Sequence, residues 1–126
     1  MIVLAPISDK SEINRMFLEN GLEFTEFSGC VKAKCGEEVL GFCLYDLDKN
    51  GIVIYKIIPE NDLMLADGIL RSTLHVAAER SIMNAFYSGE DTESLCDKLG
   101  FIVDGGEKRL NINKLFESCC SCKKAD

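Results

Sequence analysis

Along the first twenty residues the apolar positions set up one strand and one helix. Residues 1–7, MIVLAPI, form a short apolar run that reads as a strand. Ser8 or Asp9 then caps a helix reaching about Asn20, with Ile13, Met16, Phe17 and Leu18 as its apolar stripe, and Gly21 is a natural stop. From Phe24 the period falls to two. Residues 30–34 alternate, Gly36-Glu37-Glu38 turns the chain, residues 39–45 form a second run, and Lys49-Asn50-Gly51 signals a hairpin before a third run at 52–58. The pattern predicts a three-strand antiparallel meander.

After a turn at Pro59-Glu60-Asn61, the residues Ala66, Ile69, Leu70, Thr73, Leu74 and Ala77 recur at helical spacing. They give one apolar face to a helix of about five turns. Its start has two readings: Asn61 or Asp62 caps it early, or it begins one to two turns later, where Gly68 would suit. Residues 83–87 read as a short strand, and the helix before it makes this strand parallel to run 52–58 through a right-handed crossover. Residues 91–99 form a short helix ended by Gly100. Residues 101–103, the turn Asp104-Gly105-Gly106, and residues 108–115 make a closing hairpin in which Leu110 and Ile112 alternate with Arg109, Asn111 and Asn113. The expected fold is α/β (α+β): a mixed, mostly antiparallel central sheet of about six to seven strands, with one parallel pair and helices on both faces. It fills a single domain over residues 1–117, followed by a Cys-rich flexible tail at 118–126.

Composition narrows the function. The chain has 126 residues, enough for one core, and its 14 basic against 21 acidic residues give a net charge of −7. That leaves no basic field for a phosphate backbone, so nucleic acid is not an expected partner. MIVLAPI has no basic start and no small-residue cleavage site, and no run approaches the length of a membrane span, so a soluble cytoplasmic protein with no membrane partner is expected. Seven cysteines, an odd number, read as reduced thiols rather than a disulfide framework.

Three local motifs carry a resemblance. Val39-Leu40-Gly41-Phe42, Ile54-Tyr55-Lys56-Ile57-Ile58-Pro59 and Leu95-Cys96-Asp97-Lys98-Leu99-Gly100-Phe101 resemble the third strand, the fourth strand and the "LYxKLGF" signature of the GNAT superfamily of N-acetyltransferases. The order of elements over about residues 1–116 is similar too. The resemblance implies that acetyl-CoA lies where strands four and five splay apart. Its thioester would meet backbone N–H groups near Ile57 and Ile58, and its diphosphate would meet a helix start formed by Ala66, Asp67, Gly68, Ile69, Leu70 and Arg71. With the family's Q/R-x-x-G-x-G/A loop set on Gly68, Leu65 takes the Q/R position and Leu70 the last small position. Asp62 and Asp67 also place negative charge beside a site meant for negative charge.

The signature tyrosine, which protonates the departing thiolate in the family, is Cys96 here. Cys96 and Tyr87 are the two candidate acids, each weighed against a purely structural role. Glu23, Glu26 and Glu60 are the carboxylates nearest the expected groove. His75, the sole histidine, reads as a helix surface or boundary residue. In the tail, Cys119, Cys120 and Cys122 place three thiols within four residues, one ligand short of a structural zinc site. Three functions follow. The first is acyl-CoA-dependent transfer to a small-molecule or peptide amine. The second is a catalytically inactive binding or dimerisation module of the same fold, with a homodimer among its forms. The third is a thiol or metal-binding protein defined by the tail.

Overall fold

A computed structural model describes residues 1–103 and 108–115. The chain runs β1 (Ile2–Pro6), α1 (Lys10–Glu19), β2 (Ser28–Cys35), β3 (Glu38–Asp48), β4 (Gly51–Ile58), α2 (Leu63–Glu79), β5 (Ala85–Tyr87), α3 (Glu90–Leu99) and β6 (Arg109–Leu110). Among the described residues six strands form one sheet in the order β1-β2-β3-β4-β5-β6. Every neighbouring pair is antiparallel except β4 and β5, which are parallel across the α2 crossover, as the spacing of the apolar runs predicts.

Each face of the sheet buries its own cluster. On one face α1 inserts Ile13, Met16 and Phe17 against Cys30 and Leu44, with Phe24 and Tyr55 edge-on to the Phe17 ring. On the other, α2 lays Ala66, Ile69, Leu70, Leu74 and Ala77 over Val31, Cys43, Tyr45, Ile54 and Ile57. Helix α3 adds Leu95 and Cys96 to that second cluster, and Phe101 follows it. The helix ends are fixed locally. The Asp9 carboxylate accepts from Ser11 and Glu12 N–H at the start of α1, and Gly100 closes α3 in the left-handed conformation at φ 80°.

Two expectations are corrected. The strand expected over 108–115 stops at Leu110, because residues 111–115 turn back on themselves. Ile112 N–H donates to Leu110 O, and Lys114 N–H donates to Asn111 O. Glu26 lies in a turn ahead of β2 rather than on the strand. The turn at Asp104-Gly105-Gly106 and the whole tail lie outside the described residues.

Candidate functional site between β4 and β5

The parallel pairing of β4 and β5 is short. Ile52, Val53 and Ile54 face Ala85, Phe86 and Tyr87, and Ser88 N–H donates to Ile54 O at 2.9 Å. Beyond that point β4 continues to Ile58 while β5 has ended, so the two strands part.

A β-bulge sits at the parting point. Leu44 opposes Lys56 and Tyr45 opposes Ile54, which leaves Tyr55 as an extra residue on β4. Such a bulge bends its strand and re-aims its backbone. The Tyr55 carbonyl points away from β3 and accepts the Thr92 hydroxyl at 2.8 Å, tying the first turn of α3 to β4. Counting by two from Tyr55, Ile57 turns its N–H and C=O into the gap, whereas Ile58, paired with Phe42, turns its own toward β3. Of the two candidates for the thioester contact, Ile57 therefore has its backbone on the right side. Its side chain is buried against α2.

The helix start lies earlier than Gly68. Asp62 is the N-cap of α2: its carboxylate accepts from Leu65 N–H at 3.1 Å, and its carbonyl accepts from Ala66 N–H at 2.9 Å. Asp67, Gly68, Ile69, Leu70 and Arg71 thus lie inside the helix, their N–H groups donating to carbonyls four residues back. Ala66, Ile69 and Leu70 are fully buried toward the sheet. By helix geometry the N–H groups of Leu63 and Met64 are the ones without an intrahelical acceptor. Gly68 answers no steric demand, since an added Cβ would stand 3.5 Å from Leu4 Cδ1. Arg71 is committed elsewhere, donating to Asp67 at 2.8 Å with its guanidinium 5.2 Å above the Phe101 ring.

The two candidate acids differ. Cys96 is fully buried, and burial pushes its thiol up to about 12. Tyr87 closes β5 at the parting point and donates its hydroxyl to Glu93 on α3 at 2.9 Å. That hydrogen bond, then partial burial, raises its pKa. Glu23 and Glu26 are exposed carboxylates near α1 and the start of β2, and His75 is exposed on α2. At the mouth of the gap, Glu60, Asp91, Ser94, Leu95 and Lys98 line a cavity of about 80 Å³. A larger groove, about 620 Å³, runs between β1 and the start of α2.

Among the described residues no group of three or more His, Cys, Asp or Glu side chains could hold a metal ion, and no helix is long and apolar enough to cross a membrane. Cys119, Cys120 and Cys122 lie outside those residues.

No family model and no curated protein matches this sequence. Solved structures do. A ribosomal-protein-alanine N-acetyltransferase from Brucella melitensis biovar Abortus 2308 superposes with a TM-score of 0.61 over 85% of this chain and 96% of that one, at 14% identity. An acetyltransferase described as a GNAT family protein, from Streptococcus pneumoniae TIGR4, gives 0.55 over 82% and 89% at 16% identity. A predicted acetyltransferase from Clostridium acetobutylicum, solved with acetyl-CoA, gives 0.54 over 90% and 98% at 14% identity. At these identities the likeness is one of fold: this chain has the GNAT acetyltransferase fold.

Proposed function

We propose that the protein is an acyl-CoA-dependent N-acyltransferase, passing an acetyl group to a small-molecule or peptide amine by direct attack. The observation that carries this reading is the gap between β4 and β5, into which Ile57 turns its backbone N–H and C=O. The thioester end of the cofactor fits that strand edge. The diphosphate end fits less well, because the Asp62 carboxylate already stands at the start of α2. The expected contact there shifts from residues 66–71 to the N–H groups of Leu63 and Met64.

Bound acetyl-CoA would supply an activated thioester, and the chain's own groups would do the rest. Ile57 N–H would orient the carbonyl oxygen and stabilise the charge developing on it. Tyr87 would hold the proton that the departing thiolate requires, turning its hydroxyl from Glu93 to the sulfur, and the proton that the amine loses on forming the amide would restore it. Cys96 packs the core beneath. At the mouth Glu60 and Asp91 outnumber Lys98, a balance that suits a cationic amine.

Calorimetric titration with acetyl-CoA tests this on the natural chain and on Asp62→Asn. Asparagine keeps the cap but removes the charge, so affinity should rise roughly tenfold. Thiol release in the presence of a panel of amines then reads transfer. A second reading, a non-catalytic binding module of the same fold, is favoured by the Thr92 bond to Tyr55 and by the narrow cavity of about 80 Å³. Absence of binding heat in both proteins would leave that second reading standing and end the first.

A further inference from the structure

We propose that β1 is an interface between two copies of this chain, paired antiparallel about Leu4 so that two six-stranded sheets continue as one. This rests on the strand edge and not on the acyl-transfer reading.

β1 lies at the edge of the sheet, hydrogen-bonded to β2 on one side. The direction of its free groups can be read from the next residue. Ile7 N–H donates to Cys30 O at 2.9 Å, so Ile7 faces β2. Counting back by two, Ala5 and Val3 also face β2, while Pro6, Leu4 and Ile2 turn their backbone groups outward. Pro6, which has no N–H to offer, sits where none is needed by the monomer.

An outward ladder of this kind accepts an extended strand and little else. Edge strands are ordinarily protected by charge, yet Ile2–Pro6 contains no charged residue. Its surroundings are apolar as well: Ile2 is 52%, Val3 55% and Met64 88% exposed. Leu4 borders two grooves that run along α2, of about 620 Å³ and 390 Å³.

The sequence of β1 selects its own copy as the occupant. With Leu4 opposite Leu4 of the partner, residues 2–6 overlap along their full length. Each Leu4 N–H then meets the partner's Leu4 carbonyl, and each Ile2 N–H meets the partner's Pro6 carbonyl. Every outward donor of the strand is used, giving four bonds per pair, while each Ile2 carbonyl is left to solvent because proline has no N–H to offer it. The paired leucines fall on the face of the α2 grooves, where each strand covers apolar space left open by the other. The opposite edge of the sheet offers β1 no comparable template, since β6 is only two residues long, Arg109–Leu110. The association therefore closes as a two-fold pair instead of growing head to tail.

Sedimentation equilibrium of the full chain, in reductant and with any tag at the carboxyl end, tests this. The expected species is twice the 14.0 kDa chain mass. Leu4→Pro removes an outward N–H and also the Leu4 side chain that packs on the α2-side core, and the two bonds lost per pair alone should raise the dissociation constant roughly thirty-fold. Far-ultraviolet circular dichroism should be unchanged. If Leu4→Pro disturbs folding, Ile2→Pro decides, because it deletes the bonds to the partner's Pro6 at the strand's first residue. A 14.0 kDa species at every concentration up to the solubility limit would overturn the proposal. So would a dimer whose dissociation constant neither proline variant changes.

Discussion

Gly41 shows how little room single residues have around the turn that follows β4. A Cβ at this position would stand 2.2 Å from the Ile58 carbonyl oxygen, and 2.8 Å from both Ile69 Cδ1 and Pro59 Cδ. The first of these neighbours is backbone and cannot swing aside, so Gly41→Ala should cost about 3 kcal/mol in denaturant unfolding. The same substitution should weaken any ligand held at the start of α2, because the turn that leads into that helix is what must move. In the sequence, Gly41 stands out only through the Val39-Leu40-Gly41-Phe42 motif. The steric reason comes from strand pairing some seventeen residues away. Asp62 is the opposite case. Both of its readings, as cap or as an unwelcome charge at an anion site, are visible in the sequence. Its bond to Leu65 N–H makes both true at once.

At the scale of elements, α3 is tied to β4 at the point where the strands part. The Thr92 hydroxyl is the visible tie, reaching Tyr55 O at the bulge. Thr92→Val keeps the shape and removes the hydroxyl, so it should lower stability by about 1–2 kcal/mol. On the acyltransferase reading it should also raise affinity for acetyl-CoA, since the first turn of α3 is freed from the strand edge. Equal or weaker binding in the valine variant would count against that geometry. Much of this level was legible beforehand. Alternating apolar positions gave the meander, and an intervening helix gave the parallel pair. The bulge was not legible, because it arises from how β3 and β4 twist past each other, and the eight residues of β4 carry no glycine at that point. The shortness of β6 was hidden for a similar reason. Leu110 and Ile112 alternate as a strand would, but Asn111 and Asn113 stand between and after them in a stretch that turns.

Over the whole molecule, burial sets a limit on alkaline tolerance. The Cys30 and Cys96 thiols are pushed up to about 12 from an ordinary 9.0, and the Tyr45 and Tyr55 hydroxyls to about 12 from 10.0, in each case chiefly by burial. These groups are neutral in the fold and ionise more readily once the chain unfolds. Their contribution is therefore complete below pH 9 and is lost progressively as the pH climbs toward 12. Thermal midpoints should be level up to about pH 9 and fall above it, with a shallower fall in Cys96→Ala. A midpoint level to pH 11 would mean that the thiols reach solvent. The six strands also lie side by side in the order in which they occur along the chain. As the polypeptide leaves the ribosome, each new strand finds the rim made by its predecessor already waiting, with no earlier piece needing to be displaced. Synthesis and folding can proceed in step, strand by strand from β1 to β6.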